Sequence, residues 1–290
     1  MYKGIACVLI AAIFWGTGGV AGQFLYTYHQ VDAVWLVMVR QILAGLLFLS
    51  YSKLVLKDKI WSLPKTFPVD ILVFSFPGIL GAQLGFYYTI SLCNAGTATV
   101  LQYTAPIYVL LWVAYQQRRW PDIRESIGVV LAFTGVFLIS THGQLDNLAI
   151  SHIALVTGIL SAFSYAIYSV QPVKMLKVFP TTTVIGWGQL ISGIFLILFR
   201  DPFHPAGTWN LAAVGAFAHL VICATVLTYG LYLTGLKIIG PTKAALFSCA
   251  EPVSSVVCVV FFLGTKLTTM DILGMACIIF TVSMLSLPKK

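Results

Sequence analysis

Glu251 and Arg40 are the two formal charges that stand well inside long apolar stretches of this chain. A charge in hydrocarbon costs about 2.5–3.5 kcal/mol on insertion scales, so it faces a cavity or a partner. Arg40 lies about seven residues, or about 10 Å at 1.5 Å per residue, below one surface of its stretch. There it can lock its helix by bonding neighbouring carbonyls, or it can anchor a substrate carboxylate. Glu251 is near the middle of its stretch and directly precedes Pro252, which supplies no backbone donor and frees a carbonyl near Leu246–Ser248. A neutral Glu251 can simply donate to such a carbonyl or to another helix. It can equally take up and release a proton as part of a transport cycle.

The neutral polar groups at similar depth are Gln83, Tyr87, Gln102, Tyr103, Tyr165, Tyr168, Tyr229 and His219. Gln83 and Tyr87 are i, i+4 and share a helix face, as do Tyr165 and Tyr168 at i, i+3. Gln102 and Tyr103 precede Pro106, where a kink opens backbone carbonyls to a cavity. His219 can relay protons or stack on a cationic or aromatic substrate, or it can be satisfied by one neighbouring hydroxyl. Any single tyrosine can be packing or part of an interfacial belt. Together these groups suggest a neutral, aromatic-lined pocket for a small amphipathic molecule.

Other chemistries find less support. The six cysteines form no CxxC and no Cys/His cluster, so neither zinc nor a disulfide framework is expected. No GxxxxGK[ST] element occurs, which argues against a resident ATPase. The glycines of 16–22, and Gly81 with Gly85 as a GxxxG, are read as sites of close helix approach. Neither a metal nor a cofactor is expected, apart from a coupling proton.

These residues must be positioned by membrane helices. Of the 290 residues, 59% are hydrophobic and 9% charged, against roughly 25% charged in a soluble domain. So little charge cannot cover a water-facing surface. Ten stretches approach the ~17–25 residues that span hydrocarbon. They run near Gly4–Tyr26, Ala33–Leu56, Val69–Leu92, Ala95–Gln116, Ile123–Thr141, His152–Met175, Thr183–Phe199, Leu211–Leu236, Thr242–Leu263 and Met270–Leu287. With the N-terminus inside, 14 of the 17 basic residues fall on the inner side and only Arg200 and Lys266 on the outer. That is a positive-inside pattern and places both termini in the cytoplasm. It also explains the net charge of +8 by the inner leaflet, with no nucleic acid involved. The apolar N-terminal run is too long, and lacks the cleavage site, for a signal peptide.

Residues 95–140 and 241–286 are weak copies at a constant offset of 146: Pro106 matches Pro252, Glu125 Asp271, Gly128 Gly274 and Ser140 Ser286. Phe14-Trp15-Gly16 has a looser counterpart in Ser164-Tyr165-Ala166. Ten spans in two copies means five each. An odd number makes the second copy enter the membrane from the opposite side, so residues 1–141 and 152–290 are expected to be inverted-topology repeats. Such halves can exchange conformations around a shared site.

The five-plus-five pattern resembles the drug/metabolite transporter superfamily, in its EamA-type branch. The resemblance is carried by Phe14-Trp15-Gly16, Arg40, the Pro106 segment and Ala250-Glu251-Pro252-Val253, and it covers essentially the whole chain. It implies an all-α, multi-pass bacterial plasma-membrane carrier for a small molecule, often an exporter of amino acids, related metabolites or drugs. Quaternary amines and nucleotide sugars are the alternative cargoes, though a diphosphate calls for more cavity cations than Arg40. An intramembrane enzyme using His219 with Glu251, and a non-transporting partner subunit, are the alternatives of another class. The first has no nucleophile–base motif, and the second would have a less polar core.

Overall fold

In the computed structural model the described residues are 1–92, 95–141, 151–254, 257 and 268–286. The expected second half of the Thr242–Leu263 span, together with Cys93, His142, Cys258, Lys266, Lys289 and Lys290, lies outside them. Every regular element among the described residues is helical.

Helix α1 covers Tyr2–His29 and α2 covers Ala33–Leu54. Between them, Gln30 turns the chain with φ 53°, and Asp32 caps α2 by accepting the Trp35 N–H at 2.8 Å. A short α3 (Ser62–Thr66), not expected from the sequence, leads into α4 (Pro68–Val73). A π-helical turn at Phe74–Leu80 then joins α4 to α5 (Gly81–Leu92). Pro77 sits inside that turn and accounts for it, because its ring cannot donate and crowds the preceding turn. Next come α6 (Ala95–Gln102), α7 (Ala105–Gln116) and α8 (Ile123–Thr141).

The second half opens with α9 (His152–Val170), the single turn α10 (Val173–Leu176) and α11 (Thr181–Leu196). Helix α12 (Leu211–Val221) passes through a second π turn, Ile222–Leu227, into α13 (Thr228–Ile239). Here the widening comes from threonines: Thr225 donates to the Leu220 carbonyl and Thr228 to that of Cys223, each five residues back. Helix α14 (Pro241–Ser248) ends in a turn at Cys249-Ala250, helix resumes over 251–254, and α15 is Thr269–Ser286.

The breaks fall in matched places. Tyr103-Thr104 separates α6 from α7, and Cys249-Ala250 ends α14; each precedes one of the prolines Pro106 and Pro252. The main helix pairs are α2 with α11, α8 with α15, α5 with α9, and α1 with α13. At the α2–α11 contact a Cβ on Gly45 would stand 2.6 Å from the Leu190 nitrogen, and one on Gly193 2.8 Å from that of Ile42. The backbones therefore meet with no side chain between them. Gly81 and Gly85 do the same for α5 against Ser164 and Ser161 of α9.

Among the described residues, six helical stretches are long and apolar enough to cross a bilayer unaided: Tyr2–His29, Ala33–Leu54, Pro68–Leu92, Ala98–Gln116, His152–Leu176 and Leu211–Ile239. Their outward faces carry exposed Ile10, Ile13, Leu46, Leu47, Val156 and Leu160, while Arg40, Gln41, Ser161 and Gln189 are buried. Apolar outside and polar inside is the arrangement that lipid requires and water forbids. The molecule is an all-α, multi-pass membrane protein.

Candidate functional site

Polar side chains from both halves converge on one small cavity of about 30 Å³. Its walls are Trp15 of α1, Ala82, Gln83, Phe86 and Tyr87 of α5, Gln102 of α6, Tyr165 and Tyr168 of α9, Tyr229 of α13, and Glu251. Such a volume admits a water molecule or two and no metabolite.

Arg40 reaches the cavity through two of its lining residues. It is 1% exposed, donates through Nη1 to Tyr87 Oη at 2.8 Å and through Nη2 to Gln83 Oε1, and its guanidinium carbon lies 4.3 Å from the centre of the Tyr87 ring. The i, i+4 spacing of Gln83 and Tyr87 is what lets both bond one guanidinium. Among the described residues no carboxylate lies within ion-pair distance of Arg40, and its Nε is buried without a partner. The guanidinium is thus held by neutral partners, a phenol and an amide.

Glu251 is 7% exposed, and its Oε2 is 2.7 Å from Tyr103 Oη. Tyr103 does not line the cavity; it stands behind Glu251 and also lies 2.7 Å from the Ser248 carbonyl. Tyr165 donates to Ser248 Oγ at 2.7 Å, since that hydroxyl already donates to the Ala245 carbonyl. Pro252 thus borders the site through the carbonyl it frees. Pro106 marks the opposite break, where Gln102 donates to Ser161 Oγ at 2.7 Å.

The aromatic wall is continuous. The Trp15 ring centre lies 6.3 Å from that of Tyr165, 5.6 Å from Tyr229 and 5.0 Å from Tyr232, and Tyr165 and Tyr168 are 4.7 Å apart. The Tyr229 hydroxyl is buried with no hydrogen-bond partner. His219 is placed elsewhere: it is half-buried and bonds Thr17 Oγ1 at 2.9 Å, outside the cavity wall. Sequence reasoning did not single out Ala82, Phe86, Ser161 or Ser248. The apolar pair carries no chemical signal, and of Ser248 only the carbonyl was legible, as one of those near Leu246–Ser248 that Pro252 frees, and not the hydroxyl that Tyr165 bonds.

A helical membrane bundle closed around a polar, aromatic cavity, with broken helices at its edge, is the build of a transporter. The chain belongs to the EamA-like transporter family, whose model matches residues 2–141 and 152–287. It is 37% identical over 292 residues to the uncharacterized inner membrane transporter YicL of Salmonella typhimurium strain LT2, covering 99% of this chain and 96% of that protein. It is 25% identical over 209 residues to the threonine/homoserine exporter RhtA of Escherichia coli K12, covering 72% of this chain and 68% of the exporter. A crystal structure of 17% identity shares the fold, with a TM-score of 0.82 over 99% of this chain and 97% of that one.

Proposed function

We propose that this transporter is a secondary active carrier that exports amino acids or related small metabolites by alternating access. The observation that carries the reading is the small polar cavity, with Glu251 in its wall and Arg40 directly behind Gln83 and Tyr87. A zwitterion presents a carboxylate for Arg40 and an ammonium for Glu251, and the rings of Trp15, Tyr165 and Tyr229 suit an ammonium or an aromatic side chain. The distant likeness to a threonine/homoserine exporter points to the same cargo.

Ten spans in two inverted halves, residues 1–141 and 152–290, supply the motion. In favour stand the matched breaks before Pro106 and Pro252, the π turns in Pro68–Leu92 and Leu211–Ile239, and helix pairs that interchange when the halves are swapped. The basic residues argue for cytoplasmic termini in a bacterial plasma membrane. Glu251 is the proton-coupling carboxyl in this scheme. Glu251→Gln is expected to cut gradient-driven uptake into inverted vesicles by tenfold or more while exchange without a gradient persists. Full gradient-driven uptake by the variant removes Glu251 from that role.

A further inference from the structure

We propose that Tyr103 reads the protonation state of Glu251 and converts it into a tie between the α6–α7 junction and the end of α14. The inference rests on the carrier reading above, with Glu251 as its proton-exchanging group. Tyr103 Oη lies 2.7 Å from the Ser248 carbonyl oxygen and 2.7 Å from Glu251 Oε2. A phenol has one proton to donate. When Glu251 is ionised both neighbours are acceptors only, and one of the two short contacts has no hydrogen in it. When Glu251 is neutral its O–H donates to Tyr103 Oη, Tyr103 donates on to Ser248, and both contacts are hydrogen bonds. The observed geometry is fully satisfied only in the neutral state.

The Ser248 carbonyl needs this donor for a reason written in the chain. Its helical partner would be the N–H of residue 252, which is proline. Tyr103 from the first half fills the vacancy in the second, and the bond is buried. Loss of the proton from Glu251 turns the phenol towards the carboxylate and strips Ser248 of its donor. The break at Cys249-Ala250 then loses its cross-link to the other half.

The groups facing Glu251 leave Tyr103 as its partner. Around the cavity, α1 presents Trp15, α6 presents Gln102, α9 presents Tyr165 and Tyr168, and α13 presents Tyr229. Cys249 is the titratable neighbour on its own segment, and the cation Arg40 is engaged by Gln83 and Tyr87. Tyr103 is a positioning residue: it acts through Glu251 and Ser248 and does not line the cavity.

The test is thermal melting of the detergent-solubilised full chain at about pH 5 and about pH 9, read against Glu251→Gln as the pH-silent reference. The carboxyls of Asp32 and Asp201 are held below their ordinary range and stay ionised throughout that window. Neutral Glu251 completes the bonds, so the wild type is expected to melt about 2–6 °C lower at the higher pH than at the lower. Glu251→Gln keeps a donor to Tyr103 and loses that difference. Tyr103→Phe leaves the carbonyl bare and melts lower, and Pro252→Ala, which restores an N–H at residue 252, recovers most of that loss in the double variant. Equal pH dependence in the wild type and Glu251→Gln overturns the proposal, as does a double variant no better than Tyr103→Phe. If Tyr103→Phe does not fold, the comparison of wild type with Glu251→Gln decides alone. Counterflow of labelled L-threonine on the same preparations probes the carrier reading separately, and its absence leaves the melting result standing.

Discussion

At the scale of single residues, the site contains an arginine with no acid partner among the described residues. Arg40 donates to a phenol and an amide, Tyr87 and Gln83, and both of these belong to the cavity wall. Neutral partners orient the guanidinium without cancelling its charge, and in the proposed reading that charge meets the carboxylate of a substrate. Lysine cannot reproduce two donors in a fixed plane. Hydrogen bonds to charged groups contribute about 1.5–3 kcal/mol, so Arg40→Lys is expected to raise the half-saturation concentration for an amino-acid substrate about tenfold or more. The concentration dependence of counterflow measures this, with melting temperature as the control for folding. An unchanged half-saturation assigns Arg40 to helix locking alone.

Helices set which of these groups can meet, and glycine sets how closely the helices pack. The α2–α11 contact brings backbone to backbone at Gly45 and Gly193. Gly45→Leu forces a side chain against the Leu190 main chain, and overpacking of this kind costs about 1–3 kcal/mol. The expected result is a melting temperature lower by several degrees; a variant as stable as the parent would mean that α2 and α11 separate easily. The sequence announced the analogous contact of α5 with α9, because Gly81 and Gly85 form a GxxxG on one helix. Gly45 and Gly193 carry no such mark, since Gly45 is the one glycine of α2 and Gly193 stands five residues from Gly188, the nearest other glycine of α11. The same limit applies to the two π turns. Pro77 is visible as a breaker, whereas the turn at Ile222–Leu227 depends on threonine hydroxyls choosing carbonyls five residues back. Helix α8 begins where the apolar run does, at Ile123, since that limit is set by composition. The cavity was legible in part for a similar reason. Buried charge and amide groups in an apolar helix declare themselves, but Ala82 and Phe86 become wall only once α5 has packed.

Over the whole molecule, the α2–α11 pair is fastened at both ends in the same manner. Trp35, near the start of α2, donates its indole N–H to the Pro202 carbonyl at 3.2 Å, and Trp187, near the start of α11, donates to that of Ile60 at 2.7 Å. Each indole also meets a second tryptophan edge-on, Trp209 in the first case and Trp61 in the other. Asp32 accepts from Arg200 beside the first tie, and Asp58 accepts from Thr183 beside the second. Partial burial works against ionisation of Asp32, but the Arg200 guanidinium and the Trp35 N–H outweigh it and hold the carboxyl below its usual range. That folded value is depressed, so the bond is present above the ordinary carboxylate range and is lost only as the pH falls below it. A pair pinned at both faces is suited to be the fixed frame, with the broken helices around Tyr103 and Cys249 as the parts that move. The central proposal is that this cavity carries a small zwitterion across the membrane. The most direct test is counterflow of labelled amino acids, L-threonine first, into liposomes containing the purified protein and preloaded with the unlabelled compound. Saturable accumulation that is lost in Arg40→Ala is the expected result. Flux no greater than in protein-free liposomes, across a panel of amino acids and organic cations, would contradict it.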